Sequence, residues 1–252
     1  MTSPYENQAG AKGYLDFLDS PDGATFKKIL SENILRRLEG KNNLSVLDAG
    51  CGPGWLSKML SDLGHSLKAC DISPQLIEKA QNDYPGLDFK IADLTEKLPY
   101  EDNTFDCVIL SLSALDLKNL RAAYGEIKRV MNNSGRLIIV TVNPYYGFPV
   151  GVWKRGLVGR LLLQKPALKL RPYFSFKRKA DRAFTWNGNL TSYFYTLPEQ
   201  INLLLGLGFN LKFFEDLESA ENEKKYSLKF RLYRFPVFVL MEFAKNSDAS
   251  QN

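Results

Sequence analysis

The stretch that most constrains this chain is Val46–Gly54, an apolar run that leads directly into three alternating glycines. The run Leu44–Ala49 predicts a buried strand, and the amphipathic segment Trp55–Leu63 predicts a helix after it. Glycines at positions 50, 52 and 54 let the backbone turn tightly and approach a ligand closely. The stretch therefore predicts a strand, a ligand-binding loop and a helix; a simple glycine-rich connector is the alternative.

This loop differs from the dinucleotide fingerprint G-x-G-x-x-G. Counted from Gly50, the third glycine of that fingerprint would fall on residue 55, which is a tryptophan. The chain has the spacing G-x-G-x-G instead, with Asp48 two residues before the first glycine. A nicotinamide or flavin site is therefore not indicated, and the loop belongs to a different class of ligand site.

Two further acids follow the next predicted strands. Asp71 ends the predicted strand Ser66–Asp71, and Asp93 follows the predicted strand Leu87–Ala92. Because the carboxyl ends of parallel strands meet at one edge of a sheet, both acids should lie near Asp48. Taken alone, either acid would more often be a helix N-cap or a solvated strand end. The prediction of a ligand site rests on all three acids together.

The positions of these acids suggest which ligand they would hold. A carboxylate at the end of the second strand, here Asp71, is placed to accept hydrogen bonds from both hydroxyls of a ribose. Asp93 is placed to accept from an exocyclic amino group such as that of adenine. Ile72 and Leu94 each follow one of these acids and could enclose the adenine ring between them.

The rest of the chain alternates short apolar runs with amphipathic stretches, which predicts an α/β doubly wound core. Its other predicted strands are 105–110 and 135–142, and its other predicted helices are 24–39, 74–84 and 117–131. The regular pattern stops after residue 142 and returns with a helix at 197–207 and strands at 209–214 and 235–243. Pro236 predicts an edge position or a strand start for the last of these.

This organisation predicts one domain over residues 1–252. We divide it into an N-terminal lid and helix (1–40), a ligand-binding core (41–142), a cap insertion (143–190) and a C-terminal helix with the last core strands (191–252). The cap is interpreted as an insertion in the core and not as an independent domain.

Histidine and cysteine usage excludes several kinds of site. The single histidine, His65, rules out a multi-histidine metal site, and its place before a predicted strand, behind the ligand edge, indicates a structural role. Three cysteines without metal-ligand spacing fit reduced thiols in a cytoplasm. The polar start lacks the apolar core of a signal peptide, and no apolar run approaches about 18 residues. We therefore expect a cytoplasmic protein without a metal.

Several segments together resemble the class I S-adenosylmethionine-dependent methyltransferases. These are Val46–Gly54, Ala69–Ser73, Ile91–Leu94, Phe105–Leu110 and Gly125–Val140. The subgroup most similar to them includes the ubiquinone/menaquinone-type and many small-molecule methyltransferases. The resemblance covers residues 40–142, and segments 195–209 and 236–245 are similar to the last helix and strand of that subgroup. It implies a Rossmann-like sheet of seven strands with an antiparallel last strand, and S-adenosylmethionine as cofactor.

The resemblance also implies roles for individual residues. Asp71 would hold the ribose of the donor, and Asp93 its adenine. Ser111, directly after the fourth strand, would help to hold the amino-acid moiety through its backbone. The methionine end would be surrounded by Asp48, Gly50, Gly52 and Gly54.

Many members of this subgroup carry histidines after the fourth and fifth strands and before the last helix, and this chain has none there. A general base would then be Tyr14, Tyr195, Asp116 or Tyr145, or the acceptor would arrive already ionised. Each of these side chains is also compatible with packing or with shaping the acceptor site. We expect the segment Ala11–Phe17 to fold over the donor as a lid, with Tyr14 facing the site.

Positive charge is concentrated in the cap. Residues 154–182 contain ten Lys and Arg and one acid, a charge of 10 − 1 = +9, so the rest of the chain carries 5 − 9 = −4. Aromatic residues lie among these cations. The composition is compatible with an aromatic pocket for an anionic acceptor, with contact to an anionic membrane surface, with an RNA footprint, or with a solvated basic face.

We therefore predict a methyltransferase that acts on a small-molecule acceptor, aromatic, lipophilic or acidic, at O, C or N. Methylation of RNA or protein and a non-catalytic donor-binding module are the alternatives. Nucleic acid ranks last as a partner, because a pI near 8.9 is modest and no recognised RNA-binding module accompanies it. The sequence does not indicate an oligomeric state.

Overall fold

The computed structural model describes residues 8–145, 151–154, 167–170, 183–186, 190–193, 195–217 and 238–245. Two helices open this part of the chain, and four strands and two further helices follow. In order, these elements are α1 (Gln8–Leu18), α2 (Pro21–Leu38), β1 (Ser45–Ala49), α3 (Trp55–Asp62), β2 (Ser66–Asp71), α4 (Pro74–Asp83), β3 (Asp88–Ile91) and β4 (Phe105–Ser111).

The second half begins with a 3₁₀ turn at Ser113–Asp116 and contains two separate hairpins before it returns to the sheet. The hairpins are β6 (Gly151–Lys154) with β7 (Ala167–Leu170), and β8 (Ala183–Trp186) with β9 (Leu190–Tyr193). The other elements are α5 (Leu120–Val130), β5 (Met131–Val142), α6 (Leu197–Gly206), β10 (Phe209–Leu217) and β11 (Phe238–Lys245).

Seven strands form one sheet in the order β3-β2-β1-β4-β5-β11-β10. The pairs among β1 to β5 are parallel, whereas β11 runs antiparallel to both of its neighbours. This confirms the predicted doubly wound α/β fold with an antiparallel last strand. The strand order reverses between β1 and β4, and in such folds ligands bind at this point, outside the carboxyl ends of the strands.

Local sequence signals set several helix starts. Ser20 caps α2 by accepting from the amide of Gly23, and Pro21 follows it as the first helical residue, three positions earlier than predicted. Ser73 caps α4 as predicted. The helix α5 begins at Leu120 instead of the predicted Leu117, because the side chain of Asn119 accepts from the amide of Ala122 and caps the helix there.

The position of the last strand contradicts one of the two alternatives that Pro236 predicts, an edge position or a strand start. β11 lies between β5 and β10, so it is not an edge strand. Pro236 lies outside the described residues, and β11 begins at Phe238. A strand start near Pro236 is the alternative that agrees with this arrangement.

The core lies on both faces of the sheet. On one face, α2 and α3 pack with α1 against Val46, Ile109 and Val140. On the other face, α5 and α6 pack against Leu47, Val108 and Ile139. Because both faces are covered, strands β1, β4 and β5 are apolar along most of their length.

Much of the predicted cap, 143–190, lies outside the described residues, so the interpretations of its basic and aromatic composition stay predictions. None of the described helices has both the length and the apolar character needed to cross a membrane. In the described ranges, no three His, Cys, Asp or Glu side chains are grouped in a way that would hold a metal ion.

Candidate active site

The glycine loop (residues 50–54) joins β1 to α3 at the carboxyl edge of the sheet. Its three glycines have φ angles of 76°, 54° and 80°, in the left-handed region that glycine adopts without steric cost. The amides of Gly50 and Cys51 both donate to the carbonyl oxygen of Cys70, at 2.7 and 3.0 Å. The loop is therefore anchored to the end of β2.

Other parts of the chain fill the space beside each glycine. A Cβ atom on Gly50 would lie 2.4 Å from the Cβ of Ser113, and one on Gly54 would lie 2.7 Å from Cζ of Phe89. At Gly52 the nearest atom would be Cε1 of Tyr14, at 3.3 Å. The loop therefore meets the turn after β4 at its first glycine and helix α1 at its second.

Asp71, the last residue of β2, bonds the glycine loop directly. Its Oδ2 accepts from the amide of Gly52 at 2.8 Å, and its Oδ1 accepts from the amide of Ser73 at 2.9 Å. Burial raises the pKa of this carboxyl, and hydrogen bonds from the amides of Ser73, Gly52 and Ile72 oppose the increase. A carboxylate has about four acceptor positions, so about one position is left for a further donor such as a ribose hydroxyl.

Asp48, one residue before the end of β1, is 1% exposed and accepts from Oγ of Ser57 in α3 at 2.6 Å. Burial raises the pKa of Asp48 to about 7, although the bond from Ser57 lowers it, and the charge of Asp71 adds to the increase. This carboxyl therefore changes its charge near neutral pH, which is typical of functional positions.

Tyr14 in α1 covers the glycine loop and lies close to three acids. Burial raises the pKa of its phenol, the charges of Asp71, Asp116 and Asp48 raise it further, and a hydrogen bond with the side chain of Trp55 lowers it. The lid predicted around Ala11–Phe17 is thus part of a helix, and Tyr14 faces the site. Because its phenol stays protonated at neutral pH, the structure argues against proton removal by Tyr14.

A small cavity, partly open to solvent, lies beneath α1 and beside the glycine loop. Its lining contains residues that the sequence predicts for the site and residues that it does not. The residues that matter for its chemistry are Tyr14, Phe26, Asp48, Gly50, Trp55 and Ser111. Three aromatic rings and a buried acid therefore share one space, with Ser111 at the end of β4 forming part of its wall.

The residues predicted to contact adenine lie at the same edge of the sheet, but they do not line this cavity. Oδ1 of Asp93 accepts from the amide and the hydroxyl of Thr95, at 2.8 and 2.7 Å. Ile72 is half-buried, whereas Leu94 is buried in the core on the α5 face. The contacts of Asp93, Ile72 and Leu94 with a base stay a prediction.

Two other predicted positions have structural partners. The hydroxyl of Tyr195 donates toward the carbonyl oxygens of Lys118 and Leu117, at 2.7 and 3.1 Å, and so fastens the start of α6 to the start of α5. This bond uses the proton of Tyr195 and argues against its role as a base. His65 is buried at the opposite end of the sheet, where its Nδ1 accepts from the amide of Leu44 at 3.4 Å.

Sequence reasoning missed three side chains that shape the site: Ser57, Trp55 and Ser113. Ser57 had a usable signal, since it stands in the first turn of the helix that follows the loop, facing the strand that carries Asp48. Trp55 begins the predicted helix and stands where a third glycine would fall, but no role in the site was predicted for it. Ser113 offered no local signal, because its partner Ala49 is 64 positions away in the chain.

Comparison with known families and structures shows which proteins this chain is similar to. Residues 47–139 match the model of a methyltransferase domain. This part of the chain is similar to a methyltransferase domain. The match begins in β1, covers the glycine loop and Asp71, and ends in β5.

Curated relatives match the same part of the chain. A malonyl-[acyl-carrier protein] O-methyltransferase from Buchnera aphidicola is 33% identical over 119 residues, which are 47% of this chain and 48% of the relative. A demethylmenaquinone methyltransferase from Paenarthrobacter aurescens is 29% identical over 136 residues, 54% of this chain and 52% of the relative. The chain thus spans about half the length of the curated relatives it matches.

Solved structures extend the likeness beyond the methyltransferase domain. An S-adenosylmethionine dependent methyltransferase from Mesorhizobium loti superposes with a TM-score of 0.69 at 20% identity, covering 89% of this chain and 99% of that one. A putative S-adenosylmethionine dependent methyltransferase from Listeria monocytogenes gives a TM-score of 0.71 at 21% identity, covering 87% of this chain and 98% of that one. The fold of the described residues is therefore that of S-adenosylmethionine-dependent methyltransferases.

Proposed function

We propose that this chain transfers a methyl group from S-adenosylmethionine to a small-molecule acceptor. The observation that carries the proposal is the pair of buried acids Asp48 and Asp71, which flank the glycine loop beneath Tyr14. They lie at the edge of the sheet where the strand order reverses between β1 and β4. The methyltransferase domain matched by residues 47–139 supports the reaction type.

The residues present fit such a donor. Bound there, it would supply a methyl group on a positively charged sulfur. The charged groups that act on Tyr14 are all acids, and the rings of Tyr14, Trp55 and Phe26 line the same cavity as Asp48. Acids and aromatic faces both favour a cation. Asp71 accepts from three amides and has about one acceptor position left for a ribose hydroxyl.

The chain would accelerate transfer mainly through orientation and the exclusion of water. Tyr14 of helix α1 and Gly50 of the glycine loop both line the cavity. Holding two reactants in the reactive geometry supplies about 7–11 kcal/mol in favourable cases. Of the predicted bases, the arguments above leave Asp116 and Tyr145 in place, and an acceptor that arrives ionised would need none.

The acceptor is proposed to carry an anionic group. The support is the charge of +9 on residues 154–182, together with the position of strand β9, which lies next to the turn Ser113–Asp116 beside the donor cavity. Two relatives are named for a malonyl-[acyl-carrier protein] and for demethylmenaquinone, so the family name alone does not choose between acceptors.

The test of donor binding is calorimetric titration with S-adenosylhomocysteine, the product of the donor. Asp71→Asn should weaken binding by at least about tenfold, because the asparagine side chain has one acceptor oxygen whereas the carboxylate has two. The exposed Asp83→Asn, which loses only an ion pair with Lys79, serves as the matched control and should bind like the native chain. No binding by the native chain, or equal binding by Asp71→Asn, would contradict the proposal.

A second candidate, methylation of RNA, is favoured only by the basic segment 154–182. It requires an affinity for RNA that falls steeply as salt is raised, because counterions are released from phosphates. Filter binding of a mixed RNA pool at several salt concentrations tests it. A flat response to salt would remove RNA as the acceptor, while transfer of labelled methyl to any acceptor would exclude a non-catalytic module.

A further inference from the structure

The turn Ser113–Asp116, called here the β4 turn, touches the glycine loop through one residue. The hydroxyl of Ser113 donates to the carbonyl oxygen of Ala49 at 3.0 Å. The same side chain fills the space beside Gly50, where an added Cβ would lie 2.4 Å from the Cβ of Ser113 and 2.6 Å from its Oγ. Ser113 is thus both bonded to and packed against the point where β1 becomes the loop.

The backbone that presents Ser113 is held in an unusual conformation. Leu112 has φ 62° and ψ 0°, a left-handed conformation that a leucine rarely adopts. Its amide donates to the carbonyl of Val140 at 2.8 Å, and its side chain packs with the core on the α2 face. Strained backbone of this kind persists where its surroundings fix it, and it clusters at functional sites.

The β4 turn also lies close to helix α1 and to strand β9, the strand that we associate with the acceptor above. Asp116, its last residue, is close enough to Tyr14 for its charge to act on the phenol. Strand β9 of the second hairpin lies beside the turn, and Tyr195 bonds the carbonyl of Leu117 directly after it. The β4 turn therefore contacts the glycine loop, lies close to Tyr14 in α1 and lies beside the hairpin formed by β8 and β9.

We propose that Ser113 is a positioning residue, which fixes the glycine loop against the β4 turn so that the donor and acceptor sides of the site keep one relative position. This inference rests on the donor binding proposed above. Ser113 would act through the loop, by holding the carbonyl of Ala49 and the backbone of Gly50, and not by contact with the reacting atoms.

The experiment is calorimetric titration of S-adenosylhomocysteine into the native chain and three variants, with Tm measured for each. Ser113→Ala should bind about fivefold more weakly, the effect of one lost hydrogen bond. Ser113→Thr keeps the hydroxyl and should bind within about twofold of the native chain. Ser31→Ala is the matched control, since its hydroxyl donates to the carbonyl of Lys28 at 3.0 Å in α2; it should leave affinity unchanged.

The outcomes separate this inference from the proposed function. Donor-product binding by the native chain with equal affinity in Ser113→Ala would overturn the positioning role and leave the proposed function standing. Absence of binding by the native chain would overturn both. If Ser113→Ala does not fold, Ser113→Cys fills the same space with a weak hydrogen-bond donor, and native affinity in that variant would overturn the positioning role.

Discussion

At the scale of single residues, the behaviour of Asp48 follows from its burial at the end of β1. Its pKa rises from 3.8 to about 7 on folding, so between these values the folded chain holds a proton that the unfolded chain has lost. Stability from this group is therefore greatest at acidic pH and is lost as pH rises toward about 7. Burial favours the protonated form of Asp48, whereas a bound cationic ligand favours the ionised carboxylate.

Donor binding should consequently depend on pH. The affinity for S-adenosylmethionine should rise between about pH 6 and pH 8 as Asp48 loses its proton, and binding should release that proton. Calorimetry in two buffers of different ionisation enthalpy measures the release. Asp48→Asn still accepts from Ser57 but cannot ionise, so it should bind more weakly with a flatter pH profile. An unchanged profile in that variant would assign the titration to another group.

Gly54 gives a prediction for stability at the same scale. Alanine there would keep a φ of 80° and bring its Cβ to 2.7 Å from the ring of Phe89. The left-handed conformation costs about 1–2 kcal/mol and overpacking about 1–3 kcal/mol, so Gly54→Ala should lose about 3 kcal/mol in urea unfolding. Gly86 has no atom within 4 Å of an added Cβ, and Gly86→Ala should stay within about 0.5 kcal/mol. Similar losses in both variants would contradict this account.

At the scale of elements, a buried acid joins α2 to the sheet. Glu242 in β11 accepts from Arg37 of α2 at 2.6 and 2.8 Å and pairs with Arg136 of β5 at 3.0 Å. The guanidinium of Arg37 also lies 3.9 Å from the ring centroid of Phe213 in β10. The two arginines therefore hold the antiparallel strand and the helix that lines the cavity in one cluster.

Glu242→Ala should destabilise the chain by about 2 kcal/mol in urea unfolding. Breaking a fully buried pair costs about 3–5 kcal/mol, but Arg37 and Arg136 keep 27% and 25% of their side chains exposed and can be hydrated. Glu215→Ala is the control, since its pair with Arg36 is exposed on both sides and should contribute under about 1 kcal/mol. Equal losses in the two variants would contradict the cluster's role.

The elements also show what local sequence can predict. β2 was predicted at both ends, because a turn at Gly64 precedes it and Ser73 with Pro74 caps the next helix. α5 was predicted three residues too early, since Leu117 fits a helical period although Asn119 caps the helix. Asp48 and Asp71 were predicted from their positions at strand ends. The bond of Ser113 to Ala49 was not, because it depends on strands that are adjacent only in the folded sheet.

At the scale of the whole molecule, ligand binding should be visible as added stability. S-adenosylhomocysteine at one hundred times its Kd should raise the free energy of unfolding by about 2.7 kcal/mol if it binds only the folded chain. Urea unfolding with and without the ligand measures this. Asp71→Asn at the same ligand concentration should gain clearly less, and an equal gain would place the ligand away from the glycine loop.

The placement of α1 over the glycine loop has a consequence for modularity. The matched methyltransferase domain begins at residue 47, yet Tyr14 and Phe26, which line the cavity, lie before it. A segment cut at the family boundaries and transplanted to another chain would carry the loop and both acids but would leave one wall of the cavity behind. We therefore expect the smallest portable unit for holding the donor to begin at least as early as α1.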